Sequence, residues 1–399
     1  MPPPELLTVE QALEQILARA RPLPAETVAL EQATGRVLRE PARATVDLPP
    51  FPSSAMDGFA VRASDTPGEL PVAFRVAAGA PPPGPLPPGA AAGIATGGTV
   101  PENADAIVPV ELAEDHGDRV AFPSPATAGQ HVRPRGGDVR SGDVVVSPGV
   151  RLGAARIGAL AAAGVSVVRC SARPRVSILA TGSELRAPGS ALEPGQIYES
   201  NRPMIAAALE SAGAEIDVLP VVEDDADAHR AALERGLEAD VLVTSGGVSM
   251  GPHDLVRRVA ADLGVEEVFW GVAVKPGKPL AFGVRGDTLV FGLPGNPVSS
   301  LVSALVFVRP ALLARQGLEA PEPAYLPGRL SVSVRRNPHR DEFVRARRVR
   351  TAEGSLLEAV SGQESHMIVR AAAADVLVLV PRGDGEISAG DSVEYLPLD

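Results

Sequence analysis

Cysteine is almost missing from this chain. Cys170 is the only one in 399 residues. That excludes an intrachain disulfide framework, a CxxC redox pair and a thiolate zinc site. Aromatic residues make up only 3% beside a hydrophobic content of 45%, so the cores must be built from Ala, Val and Leu. Positive charge is in deficit: a net charge of −12 and a pI near 5.1 argue against a nucleic-acid binder. No run approaches the ~18 apolar residues of a membrane span, and no basic segment followed by an apolar one opens the chain. The expectation is a cytoplasmic protein without a membrane partner. There is no GxxxxGK[ST] loop, no GxSxG elbow, and no HxxxH or HExxH among the six scattered histidines, 116, 131, 229, 253, 339 and 366. Surface or structural roles are expected for these, except for His253 and His366 in candidate loops.

Lysine is the most depleted. Of 37 basic side chains only Lys275 and Lys278 are lysine, both in VAVKPGKP. General replacement by Arg explains the rarity but not the pairing. Lysine is a compact charge and arginine a broad planar fork, so a crowded oxyanion pocket could demand the former.

What is present is Gly and Pro, 40 of each, and a length that predicts two to four domains. TVEQALEQILARA (8–20) shows helical apolar spacing behind Thr8, an N-cap with Gln11 three residues on. From Phe51 to about Val132, short β-like runs alternate with the loop APPPGPLPPG, which predicts a small β-rich domain over 51–132. Helical pattern returns at 152–164, so 1–50 and 133–170 read as one elongated, discontinuous domain. Over 171–320, apolar strands (RVSILATG, IDVLPVV, DVLVTSGG, LVFGLPG) alternate with amphipathic helices, which predicts βαβ units around a buried parallel sheet. The tail, 321–399, is strand-like and predicts a small β-barrel or sandwich. The fold class is therefore multidomain α/β plus β.

Ligands of open parallel sheets bind beyond the carboxyl ends of the strands. Here those ends read ATGSEL with Glu184, VVEDD with Asp224 and Asp225, TSGGVSMGPHD with Gly246, Gly247, Ser249 and Asp254, and GLPGNPVS with Pro294, Gly295 and Asn296. Asn296 as N-cap, with Pro297 in the first turn, taken alone is an ordinary helix start. Beside KPGKP and SGGVS it becomes an anion site. Glu184, Asp224 and Asp254 read either as solvated carboxylates at helix starts or as a Mg²⁺ set that also takes substrate phosphate oxygens.

Ten segments in order resemble the MoeA family and the related E domain of gephyrin. They are LPPFPSSAMDGFAV (48–61), ATGGTVPENADAIVPVE (95–111), RPRGGDV (133–139), ILATGSEL (178–185), SNRP (200–203), SGGVSMGPHD (245–254), KPGKP (275–279), GLPGNPVS (292–299), DEFVRA (341–346) and QESHMI (363–368). The resemblance covers nearly the whole chain. It implies a molybdenum insertase, a central MogA-like molybdopterin-binding domain and a C-terminal β-barrel. It implies a homodimer whose cleft uses both subunits, with a molybdopterin adenylyltransferase supplying adenylylated pterin. The implied reaction joins molybdate to that pterin, releases AMP and uses Mg²⁺. Carried over by motif, Asp57, Thr96 and Asp138 line the cleft from the first two domains. Glu184, Asp224 and Asp254 form the acidic set. Lys275, Arg345 and Ser365 hold oxyanion, with Lys278 as a helper.

Three departures stand out: Pro52–Ser53 before SAMDG, Gly271 after Trp270 where some relatives place lysine, and Glu364 before Ser365. Two other readings fit the residues: a MoeA-like scaffold without turnover, and another α/β enzyme for a phosphate ligand.

Overall fold

The computed structural model describes residues 6–222, 225–247 and 255–398. The chain divides into two compact units, one of residues up to Glu26 together with Ser171–Asp399, the other Thr27–Cys170.

The first unit is built on a six-stranded sheet in the order Glu215–Val218, Arg175–Ala180, Val241–Ser245, Thr288–Leu293, Ala281–Arg285, Glu266–Trp270. The first four are mutually parallel, and they are the strands the sequence pattern predicts. Ala281–Arg285 runs antiparallel to both of its neighbours, so Glu266–Trp270 points the same way as the first four and the sheet is mixed rather than wholly parallel. The physical reason is local. Residues 281–285 and 288–293 are joined by a two-residue turn, Gly286–Asp287, which closes a hairpin and leaves no room for a crossover helix. Val241–Ser245 is buried along its whole length, as expected of a strand covered on both faces.

Helices Asn201–Glu210, Ala226–Gly236 and Leu255–Asp262 accompany the sheet. A longer helical run, Pro297–Arg315, passes through a π-turn at Ala304–Val308. It is long and apolar enough to cross a membrane, yet 78% of its apolar window is buried inside the protein. It is a core helix. Val302, Leu305 and Phe307 join the same apolar cluster as Phe282 and Phe291.

That cluster also takes Val9, Ala12 and Ile16 of helix Val9–Leu17. The helix begins with the expected capping box between Thr8 and Gln11. The apolar face of this first helix is buried in the sheet-centred unit.

The C-terminal region is a closed five-stranded barrel. Leu326–Leu330 pairs with Gly354–Ala359, which pairs with Asp341–Thr351, then Val376–Val380, then Ser392–Pro397, which returns to Leu326–Leu330. Closure removes exposed sheet edges. A short outside strand, Val274–Lys275, pairs with Asp341–Glu342 and so brings the lysine loop to the barrel.

The second unit carries a six-stranded sheet from residues 58–122, whose strands enclose two apolar clusters around Phe59, Val61, Phe122 and around Ile94, Leu86, Ile107. Helix Ala154–Ala162 and strand Val144–Val146 contribute to a third cluster around Leu38, Leu152 and Leu160.

Candidate active site

Two adjoining cavities lie beyond the carboxyl ends of the parallel strands. The larger, about 940 Å³, is lined by Glu184, Gly246, Gly247, Pro294 and Gly295 among others. The smaller, about 470 Å³, is lined by Lys275, Ser299, Arg340, Gln363, Glu364 and Ser365 among others. Lys278, Pro279, Pro294, Asn296 and His366 line both, so the two spaces adjoin along these side chains.

The floor of the larger cavity is a glycine turn. Gly247 sits at φ +65°, and a Cβ there would lie 2.4 Å from Val256 Cγ2. Only glycine fits, and the turn leaves backbone close to any ligand. Beneath it runs a buried polar network absent from the sequence reading. Asn201 Nδ2 donates to Ser245 Oγ at 2.8 Å and to the Gly295 carbonyl at 2.8 Å. Ser245 Oγ also lies 3.4 Å from Ser300 Oγ, which donates to the Pro294 carbonyl. These bonds fix the Gly246–Gly247 and Pro294–Asn296 turns against one another. The signal was available: Asn201 lies in the SNRP segment, at the start of a helix that follows the first strand.

Asn296 is the N-cap by position and Pro297 is in the first turn, as expected. Its side chain makes no cap bond. Instead Asn296 Nδ2 donates to Ser365 Oγ at 2.8 Å, and Val298 N donates to the Ser365 carbonyl at 3.0 Å. The helix start and the QESHMI loop are thereby joined.

Lys275 reaches the smaller cavity and pairs with Glu342 at 2.8 Å, an acidic residue that the sequence reading did not single out. Arg340 lines the same space and was also missed, since nothing in NPHR marks it until the barrel strand brings it beside the lysines. Glu364 lines this cavity too, so the departure at this position puts a carboxylate among the cations.

Arg345 is the chief correction. It is expected to hold oxyanion, but it is 1% exposed. Its guanidinium donates to the carbonyls of Met367 at 2.9 Å, Gly362 at 2.8 Å and Glu364 at 3.2 Å, and to Gln363 Oε1 at 3.3 Å. The fork shapes the loop that presents Ser365 and does not line either cavity. Burial pushes its pKa below the usual arginine value, opposed by the nearby Glu364 carboxylate.

Gly271 is explained by its backbone. It adopts φ +91°, a left-handed backbone that strains any residue with a Cβ, so lysine is disfavoured there. His229, expected in a surface or structural role, is buried at 1% exposure beside the larger cavity.

Asp57, Thr96 and Asp138 belong to the second unit. Asp57 Oδ1 accepts from Thr96 N at 2.6 Å and from Thr96 Oγ1 at 2.9 Å. These two bonds, the backbone one foremost, hold the exposed Asp57 carboxyl below the usual aspartate range. The carboxylate of Asp138 is exposed and has no side-chain partner among the described residues; in its loop Asp47 takes Arg135 and Ser141 instead. Asp224, Ser249 and Asp254 lie outside the described residues. Among the described residues no group of three or more His, Cys, Asp or Glu gathers around a metal position, and Glu184 is the only one of the expected acidic set placed at the cavity.

A largely parallel sheet with glycine turns at its strand ends, beside a lysine-lined pocket and a small barrel, defines an α/β protein with a polar cleft beyond its strand ends. Comparison with known proteins agrees. Residues 7–164 match the MoeA N-terminal region (domain I and II), 177–314 the probable molybdopterin binding domain, and 327–398 the MoeA C-terminal region (domain IV). The chain belongs to the MoeA family. It is similar to molybdopterin molybdenumtransferase 2 of Mycobacterium tuberculosis, at 38% identity over 98% of each chain. It is also similar to the molybdopterin molybdenumtransferase of Haemophilus influenzae, at 33% identity over 99% of each. The crystal structure of the molybdopterin biosynthesis MoeA protein of Pyrococcus horikoshii superposes with a TM-score of 0.82 at 32% identity, covering 99% of this chain and 100% of that one.

Proposed function

We propose that this chain is a molybdopterin molybdenumtransferase in molybdenum cofactor biosynthesis, joining molybdate to adenylylated molybdopterin with release of AMP. The observation that carries the reading is the adjacency of the two cavities. A nucleotide-sized space floored by glycine turns shares Lys278 and Asn296 with a smaller space lined by Lys275, Arg340 and Ser365. The larger space suits the pterin nucleotide. The smaller suits a tetrahedral dianion, to which the lysines and Arg340 offer charge-assisted donors and Ser365 a hydroxyl. The full-length relatives named molybdopterin molybdenumtransferase support the same assignment.

Each residue then has a task. Glu184 at the strand end orients the phosphate part of the substrate. The closely approachable backbone of the glycine turn at Gly247 takes phosphate oxygens. Lys275 and Lys278 draw the incoming oxyanion against the acidic charge of the whole chain. Glu342 keeps Lys275 aimed. Mg²⁺ belongs to the proposal: Glu184 is a hard oxygen donor at the cavity, which fits it, and Asp224 and Asp254 would complete its protein ligands. When bound, Mg²⁺ neutralises charge at the phosphoanhydride.

A homodimer is also proposed, in which Asp57, Thr96 and Asp138 of the partner subunit complete the cleft. We further infer a cytoplasmic setting, with adenylylated pterin supplied by a molybdopterin adenylyltransferase; a single cysteine leaves the chain no intrachain disulfide to depend on.

The test is molybdate-dependent AMP release from adenylylated molybdopterin, with and without Mg²⁺, in the wild type and in Glu184→Gln. Release by the wild type that needs both molybdate and Mg²⁺, and is lost in the variant, supports the proposal. A folded wild type that binds the pterin and releases no AMP turns the reading to a scaffold.

A further inference from the structure

Aromatic side chains are too few here for their placement to be incidental. The chain has nine Phe, three Tyr and one Trp. In the sheet-centred core Phe269, Phe282, Phe291 and Phe307 are buried, and Tyr325 and Tyr395 pack against apolar clusters. The other two aromatics with a polar edge, Tyr198 and Trp270, both line the larger cavity.

Trp270 ends the edge strand Glu266–Trp270, where it is paired with Ala281, and it is only partly buried. Its ring is clamped from one side. The Arg257 guanidinium carbon lies 5.8 Å from the indole centroid, within cation–π range. Arg257 is itself held by a two-point pair with Glu267, at 2.9 and 2.8 Å. A side chain fixed in this way loses little freedom when a ligand settles on it. The cavity is far larger than a tetrahedral oxyanion requires, and its polar lining of glycine turns and Lys278 suits the charged part of a ligand. That leaves the flat part of the ligand for the aromatic wall.

We propose that Trp270 is the stacking platform for a planar nitrogen heterocycle of the substrate, with Tyr198 bordering the same space. The inference rests on the function proposed above, which supplies two such rings, the pterin and the adenine. Stacking alone accepts either, because each offers a π-face.

The test uses the fact that Trp270 is the only tryptophan: emission excited at the red edge of the absorption band, where the three tyrosines do not absorb, reports this residue and no other. Free pterin, AMP, ribose 5-phosphate and molybdate are titrated separately, with N-acetyltryptophanamide as the inner-filter control. The expected result is saturable quenching by pterin or by AMP, and none by ribose 5-phosphate or molybdate. Which ring quenches identifies the part of the substrate held. By calorimetry Trp270→Ala then weakens that ring ligand about tenfold, Trp270→Phe restores most of the affinity, and both bind molybdate as the wild type does. Absence of quenching by either ring, or equal quenching by ribose 5-phosphate, overturns the proposal. If the rings fail to quench while AMP release proceeds, the stacking site is wrong and the transferase reading stands. If a ring quenches and no AMP is released, the stacking site stands and the transferase reading falls.

Discussion

Asn296 and Ser365, 69 residues apart in sequence, share a 2.8 Å hydrogen bond that fastens the start of the core helix to the loop beside the barrel. The bond spends the Asn296 side chain on the neighbouring loop instead of on its own helix. Ser365→Ala removes this bond and a donor at the oxyanion space, while the backbone bond from Val298 to residue 365 remains. The expected outcome is a rise of about tenfold in KM for molybdate, with a thermal midpoint within ~2 °C of the wild type. Steady-state AMP release and a thermal scan measure both. A large fall in the midpoint with KM unchanged would give Ser365 a structural role only.

Arg345 tests the opposite kind of residue. Lysine in its place keeps the charge but cannot reach four acceptors from one ammonium. Arg345→Lys is expected to destabilise the protein by about 2–4 kcal/mol, because several buried carbonyls lose their donor together. Chemical denaturation followed by circular dichroism reads this directly. Stability equal to the wild type would mean the guanidinium does not organise the loop.

The Lys275–Glu342 pair is short, but the side chains are 44% and 14% exposed. Solvent screening limits such a pair to about 1 kcal/mol. Lys275→Gln should therefore cost little stability while raising KM for molybdate steeply. Lys275→Arg should not restore affinity, since the planar fork does not fit where a point charge does. Full rescue by arginine would remove the argument from the two surviving lysines.

At Asp57 the prediction concerns pH. Two bonds from Thr96 hold the carboxyl below the ordinary aspartate range. A depressed carboxylate stabilises the fold fully above its unfolded pKa, and that contribution is lost as pH falls through the lower folded value. Thr96→Ala is expected to raise the Asp57 pKa toward the ordinary aspartate value, as seen by NMR titration of the carboxyl carbon. The neutral-pH activity profile should keep its shape, because Asp57 is ionised there in both proteins. An unchanged pKa in Thr96→Ala would show that the bonds do not hold in solution.

The four parallel strands and their polar ends were legible from the sequence because continuous apolar runs ending in Gly, Asp or Glu have few other structural solutions. The hairpin 281–293 was less so: KPGKP drew attention away from Arg285–Gly286–Asp287–Thr288, an adequate turn signal. Arg345 misled because a motif fixes a residue's place in the chain, not the direction of its side chain. Arg340 lies beside lysines 62 and 65 residues away, Glu342 and Asn201 act through partners 67 and 44 residues away, and periodicity carries no information at that range. The first helix gave its period and cap plainly. What it packs against depends on Phe291 and Leu305, nearly the whole chain later.

That last feature bears on the order of synthesis. The unit Thr27–Cys170 has its strands, helix and apolar clusters within one continuous stretch and can close while translation continues. Helix Val9–Leu17 leaves the ribosome ahead of that unit and finds its apolar neighbours after it. Leu7 bridges to Val272, and Leu23 donates to the Arg315 carbonyl. Roughly 250 residues must be made in between, on the order of ten seconds or more at ~5–20 residues per second. Through that interval the nascent protein presents an amphipathic helix without its core, the sort of surface that holdase chaperones occupy.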